Sequence, residues 1–455
     1  MGDSSYISGQ SYEPLRRLLS NDRIEALQTQ IKVKNEIEQT DWEEKTISLS
    51  DLETSDWEPQ LIIAIDGDHS KSKIYNGFPG AEVGYITVST IVILLDKIKE
   101  LEKEKFIDPK KFRETEKPTS IDSLFVGCNV ILDGENSAKS SMRRILFEEM
   151  QKTSIFQNTE TLLETYEVLL KIKRDRQTSN RSPKCPHDNC EEDLKEGYGE
   201  YSCDSCGGKL YSTDALRLHE LMNPSGTNGE MYGQIKETFK KIQLIHLIRS
   251  FEKKPEWFGT LRNIAFFMEG SLTVFSTASW LAKSFREELE RINKKVRENC
   301  NQDLLILGIE RTGNFVNHFA DIDTKKDGTD DNFPNQSVFL PTNDYIKKNI
   351  VLNDNPDFVY LEDTAFGRKF FYKTKAGYRV VPSIATYSEY QRNPLMAAEK
   401  QFPRLADCLV LLDKLVSSRY ENSVMPLATA HAEAAIPLNI GKRIFDDIAK
   451  QIRSN

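Results

Sequence analysis

A mixed α/β fold, a sheet flanked by helices, is predicted by three observations. Short apolar runs (LIIAI at 61–65, a β-branched run at 83–94, IAFFM at 264–268 and LLILGI at 304–309) read as buried strands. Stretches of helical period lie between the later runs, at 138–152 and 281–298. The first strands come as a hairpin and the later ones alternate with helices, the order a mixed sheet needs.

The chain has 455 residues, room for two or three domains at about 150 residues each. Its net charge is -9, from 61 basic and 70 acidic residues. Such a chain is no generic polyanion binder, so any nucleic acid it handles is held by local basic patches or presented by a partner. The longest apolar stretch, YITVSTIVILL at 85–95, is too short for a membrane span and carries hydroxyls. MGDSSYISGQ lacks the basic-then-apolar pattern of a signal peptide. Seven cysteines, four of them clustered, fit a reducing compartment, and a cytoplasmic location is expected.

Residues 1–58 read as an N-terminal helical arm, with Leu15, Leu18, Leu19, Ile24, Leu27 and Ile31 at helical spacing, able to pack on the body or on a second subunit. The first part of the core spans 59–180. It begins with LIIAI, the turn-rich YNGFPG at 75–80 and the 83–94 run, together a long hairpin. A charged stretch at 97–117, a strand candidate LFVGCNVIL at 124–132 and a helix after Ser137 follow. A cysteine-rich insertion and its following helix occupy 181–245. The second part of the core, 246–455, holds the later strands and an Asp-, Asn- and Pro-rich segment at 320–356 expected to be an exposed insertion. Strand material at 358–360, 369–373 and 378–385 precedes a last helical region at 403–453, broken near Asn422 and Pro437.

CPHDNC at 185–190 and CDSC at 203–206 place Cys185, Cys190, Cys203 and Cys206 in two close pairs. Two such pairs on turns, separated by a short hairpin, suit a tetrahedral thiolate site for Zn²⁺. Gly207 and Gly208 supply a tight turn, and His187 reads as a solvent-facing turn residue. Four thiolates close the coordination shell, so the ion is structural and holds together a ribbon without a core of its own.

Two strands are read as ending in acids: Asp66 after LIIAI and Glu269 after IAFFM. A lone strand-end acid is ordinarily a turn or cap residue. Two carboxylates side by side, however, repel unless a cation sits between them, and oxygen ligands suit Mg²⁺ or Mn²⁺. On the 138–152 helix, Glu149 falls on the face of Met142, Ile145 and Leu146, with Glu148 at its edge; a pairing of Glu149 with Arg143 is the competing reading. Asp68 and Asp133 are outside candidates. Near the C-terminus, MPLATAHAEAAI sets His431 among small residues in a helix started by Pro426, where it is either a core histidine or a ligand.

Taken in order, IAIDGDHS at 63–70, MRRILFEEM at 142–150, FFMEGSL at 266–272 and PLATAHAEA at 426–434 resemble the motifs of the NurA nuclease family over most of residues 60–440. The resemblance implies an RNase H-like core, here with an inserted zinc ribbon, and a metal site of Asp66, Glu149 (or Glu148), Glu269 and His431. It implies Arg311 as the basic residue beside the phosphate. It further implies Mn²⁺- or Mg²⁺-dependent exonucleolytic and endonucleolytic cleavage of DNA by a homodimer beside a hexameric ATPase, HerA, in DNA end processing or, by analogy, phage defence. Two departures stand out: Glu269 replaces the family's Asp, and the smallest members lack the ribbon. A catalytically silent scaffold that docks on the ATPase or DNA through its ribbon is therefore the alternative expectation. A third, a zinc-ribbon nucleic-acid binder without catalysis, leaves the acids unexplained.

Overall fold

The computed structural model describes residues 17, 19–32, 42–78, 80–95, 116–154, 159–176, 183–325, 332–416, 423–435, 444 and 447–452. Helix α1 (Asp22–Gln30), capped by Asn21, buries none of its residues, and Leu19, Leu27 and Ile31 are exposed. The arm thus has no packing on the body along this helix; Leu15 and Leu18 lie outside the described residues, as do positions 97–115 and the breaks near Asn422 and Pro437.

Among the described residues twelve strands follow in chain order: β1 (Thr46–Ser48), β2 (Leu61–Lys73), β3 (Glu82–Leu94), β4 (Glu116–Val126), β5 (Glu200–Ser202), β6 (Lys209–Tyr211), β7 (Ile264–Glu269), β8 (Leu305–Glu310), β9 (Ser337–Phe339), β10 (Gly367–Lys369), β11 (Phe371–Lys373) and β12 (Arg379–Ala385). All but β5 and β6 join one sheet, in the order β1-β9-β11-β12-β8-β7-β2-β3-β4, with β10 also on β12. Its heart is an antiparallel meander, β2-β3-β4, with β7 and then β8 added in parallel beside β2. This is the RNase H-like strand order, extended at the far side by antiparallel β12.

The hairpin pairs along all 13 residues of β2, from Leu61 opposite Leu94 to Lys73 opposite Glu82. Asp66 is therefore inside a strand and not at its end, because the polar DHSKSK tail still finds a full ladder on β3. LFVGCNVIL is likewise corrected: β4 lies earlier, at Glu116–Val126, and the strand stops before Gly127. Residues 358–360 are irregular chain ending in a turn, not a strand.

Side chains alternate between two faces of the sheet. One face carries Ile63, Ile65, Phe266 and Met268 under helices α2 (Ala138–Lys152), α3 (Leu162–Asp175), α4 (Gly229–Lys253) and α5 (Leu281–Cys300). Capping boxes at Ser137 and Thr161 start α2 and α3. The other face carries Ile62, Ala64, Ala265, Phe267 and Leu307 under α7 (Leu405–Leu415) and α8 (Met425–Ala434). Fully burying each of the Ile, Leu, Phe and Met side chains among these stabilises the fold by roughly 1.5–3 kcal/mol.

The segment expected as an exposed insertion is in good part interior. Phe333, Phe339 and Tyr345 pack with Phe315 and Phe319 of α6 (Asn314–Asp323) around Phe371. Its polar composition hides apolar residues spaced to reach one aromatic cluster. No helix among the described residues is long and apolar enough to cross a membrane.

Candidate active site and metal centre

Parallel pairing of β2 with β7 runs as far as Ile65 opposite Met268, which makes Asp66 and Glu269 the next residues in register. Asp66 points to the face covered by α8, whereas Glu269 ends its strand and its carboxylate reaches α4 on the other side. Asp66 is 1% exposed; its Oδ1 accepts the Gly67 amide at 2.6 Å and its Oδ2 lies 2.9 Å from His431 Nδ1. Val424 in extended conformation and Pro426 in the first turn start α8, and small Ala428 and Ala430 let it approach the sheet closely enough to deliver His431. The hydrogen bond that His431 donates to Asp66 raises its pKa above the ordinary value, against the lowering effect of partial burial. Asp68, on the same face of β2, adds to this rise.

Glu269 ends β7, where Gly270 turns the chain with φ of +86°, a conformation that favours glycine. Its Oε1 lies 4.0 Å from Arg311 Nε, just past β8, and its Oε2 lies 2.5 Å from Lys240 Nζ. Lys240 is fully buried on α4, its stem passing where Gly67 has no side chain. Burial disfavours its charge, but Glu237, Glu269 and Asp66 outweigh this and hold its pKa above the usual lysine value. A fixed ammonium thus stands between the two acids and helix α4.

Glu149 and Glu148 are not part of this arrangement. Glu149 accepts the Ser123 hydroxyl at 3.0 Å and lies 3.5 Å from Lys152, while Glu148 pairs with Arg144 at 2.9 Å. Ser123 stands opposite Ile86, which stands opposite His69. His69 is three residues from Asp66 along one strand, so the two point to opposite faces, and Glu149 lies across the sheet from Asp66. The competing Arg143 pairing is not made either, because Arg143 is committed to Asp214.

Two residues near the acids escaped the sequence reading. Lys240 sits in KKIQLIHLI, where a charge entering an apolar helix was the available signal. Asp122 shares the face of Asp68 across β3, both standing opposite Thr87. It accepts from Tyr85 at 2.5 Å and Ser120 at 2.6 Å; burial raises its pKa, but bonds from Ser120, Tyr85 and Thr87 bring it below the ordinary value. The polar alternation Ser120, Asp122 was the signal there.

Asp66, Glu269 and His431 offer hard carboxylate oxygens and an imidazole, a donor set that suits Mn²⁺ or Mg²⁺. Among the described residues, though, the one group of three or more acid, His or Cys ligand atoms drawn within a metal's reach is Cys185, Cys190, Cys203 and Cys206. Two of its edges, Cys185–Cys206 and Cys190–Cys203, measure 3.9 and 3.8 Å between sulfurs. Tetrahedral thiolates about 2.3 Å from zinc stand about 3.8 Å apart, so the cluster fits that ion. Amide groups of Cys206 and Ser205 lower the Cys203 pKa to about 7, whereas burial pushes Cys185 up to about 12.

The ribbon, with hairpin β5–β6, is fixed to the body. Arg143 of α2 grips Asp214 through Nε at 2.7 Å and Nη2 at 2.6 Å, and Nη2 also reaches the Lys209 carbonyl at 2.9 Å. The pair is almost wholly buried.

A family model described as the NurA domain matches residues 60–436. Among solved structures the chain is similar to the NurA nuclease from Sulfolobus solfataricus, at 10% identity and a TM-score of 0.35 over 97% of each chain. It is also similar to a crystal structure of NurA (11%, 0.25, 98% of each) and to one of NurA with manganese (11%, 0.23, 94% of this chain and 95% of that one). No curated protein matches it. The family model covers most of the chain, and the chain belongs to the NurA family.

Proposed function

We propose that the chain is a divalent-cation-dependent DNA nuclease whose site is built on Asp66, Glu269 and His431. The observation that carries this reading is the adjacency of Asp66 and Glu269 in the register of β2 and β7, with His431 hydrogen-bonded to the first. Asp66, Glu269 and His431 would hold Mn²⁺ or Mg²⁺, which when bound polarises the phosphate and activates water. Asp66 keeps its orientation through the Gly67 amide and His431. Arg311, beside Glu269, provides a cation for a phosphodiester oxygen. Purified protein with Mn²⁺ should degrade DNA, and Asp66→Asn should abolish this without unfolding; full activity in that variant would sink the assignment.

The family resemblance supports a homodimer working beside a HerA-type hexameric ATPase in DNA end processing or phage defence. A net charge of -9 agrees with a motor that supplies most of the DNA grip. In the ribbon the bound ion is Zn²⁺, and its role is structural.

One observation favours the silent scaffold instead: Lys240 already neutralises Glu269. If Glu269→Asp gains cleavage that the parent lacks, the scaffold reading stands and the nuclease reading falls.

A further inference from the structure

Beyond the ends of β7 and β12 a cavity of about 310 Å³ lies between α5 and the loops around β10, its walls including Leu272, Ile346, Tyr360, Arg286, Thr386 and Arg392. That volume is the size of a small-molecule site, and its lining is mostly apolar with a few convergent polar groups.

Three guanidinium groups, those of Arg286, Arg368 and Arg392, line it. Arg286 gives two of its five N–H donors to backbone carbonyls, Nε to Ala365 at 2.6 Å and Nη2 to Glu362. Arg368 does the same, reaching the carbonyls of Gln391, Asn393 and Met396 at 3.3, 3.0 and 2.7 Å. Arg392 meets one carboxylate, the half-exposed Glu290, at 3.2 Å through Nη2, while its Nη1 is buried without a partner. The Thr386 hydroxyl is also buried and unpartnered. The rim acids Glu362 and Glu389 are exposed, and Glu362 meets Arg286 through its backbone oxygen. By contrast Lys369, on the same wall, has its carboxylate in Glu310 at 2.6 Å.

Burial, and next the neighbouring Arg392, lower the pKa of Arg286 against the opposing carboxylates of Asp363 and Glu362, and burial alone brings Arg368 to about 10. Guanidinium groups desolvated together are costly unless an anion joins them. A planar, forked donor beside an unused hydroxyl is how proteins hold phosphate. The apolar wall of Leu272 and Ile346, with the Tyr360 ring, suits the flat part of a nucleoside.

We propose that this cavity binds a nucleoside phosphate, its phosphate against Arg286, Arg392 and Thr386 and its base on the apolar wall. The ligand is either a free nucleotide or the terminal nucleotide of a strand. Thr273 borders both this cavity and the depression that holds Glu269 and Gly270, so the second source lies next to the acids. The inference does not rest on nuclease activity, since its readout is binding without added divalent cation.

Calorimetric titration of the full chain with dAMP, deoxyadenosine and inorganic phosphate tests it. The nucleotide should bind, the nucleoside and phosphate far more weakly. Arg392→Gln, which removes the Nη1 that has no hydrogen-bond partner in the fold, should weaken dAMP by about tenfold or more, the worth of a charged hydrogen bond. Thr386→Val should weaken it less, and Asp66→Asn should leave it unchanged. An oligonucleotide that binds through its terminal phosphate, lost on dephosphorylation and in Arg392→Gln, identifies the strand end as the source; binding of dAMP alone identifies the free nucleotide. Absence of binding by any nucleotide, equal binding of dAMP and deoxyadenosine, or unchanged affinity in Arg392→Gln overturns the proposal.

Discussion

Lys240 Nζ lies 2.5 Å from Glu269 Oε2, and no part of the lysine reaches solvent. The ammonium holds the place next to the strand-end acid that a divalent cation would also favour. Replacing it with a neutral side chain leaves Glu269 and part of the charge of Glu237 without a counter-ion, at a cost of about 3 kcal/mol. Lys240→Met should therefore lower the denaturation midpoint in the absence of metal. Added Mn²⁺ should restore part of the loss and raise the melting temperature of the variant more than that of the parent. Equal shifts in both proteins would show that lysine and cation do not compete.

His431 is expected to act both as a ligand of the cation and by orienting Asp66. Removing a partner that orients a metal-binding carboxylate costs about 10–100-fold in metal affinity or activity. His431→Gln should raise the Mn²⁺ concentration for half-maximal cleavage by such a factor and leave the fold intact by circular dichroism. A variant that keeps the parent's Mn²⁺ dependence would reduce His431 to a packing residue.

Acid should destabilise the protein through three buried histidines. His219, His246 and His318 each have a pKa brought down to about 4 from 6.5, chiefly by burial. Their contribution is full above pH 6.5, where folded and unfolded forms are both neutral, and is lost as pH falls toward 4, because the unfolded chain takes up protons first. The loss is on the order of 3 kcal/mol per histidine. His431 runs the other way: its raised pKa adds stability below pH 6.5 that disappears as pH rises through its folded value. Urea midpoints at pH 7 and pH 5 should differ markedly, and His318→Gln should narrow the difference; the same gap in that variant would exclude His318 as a source.

The ribbon should carry about one zinc per chain. Stripping the metal, or replacing Cys203 with serine, should open residues 183–211 to protease while the core resists digestion. Arg143→Met should loosen the same segment with zinc still bound, at about 3–5 kcal/mol for a buried pair broken on one side. Elemental analysis with limited proteolysis distinguishes the two. Proteolysis confined to the core in either case would contradict the anchoring described above.

Much of the sheet was legible because buried strands advertise themselves: LIIAI and IAFFM carry no polar residue, and their acids come one position later in register. The cysteine spacing was legible for the same local reason. Asp66 looked terminal because DHSKSK resembles a turn, and only the ladder to Glu82–Ser89 extends the strand. Glu149 was correctly half-buried on its helix, but no helical wheel says which side of a sheet the helix covers. Lys240 is close to Glu269 only through the tertiary packing of α4 over Gly67, a relation with no trace in the spacing of residues.

The 13-residue hairpin also settles how the acids can be reached. β7 and β8 stop at Glu269 and Glu310, whereas β2, β3 and β4 run on, so the sheet has a step with Asp66 at its inner corner. The meander forms the riser of that step, on the side of Asp66 away from Arg311. Shortening the hairpin tip at 74–81 would lower the riser and widen the approach without disturbing a single partner of Asp66.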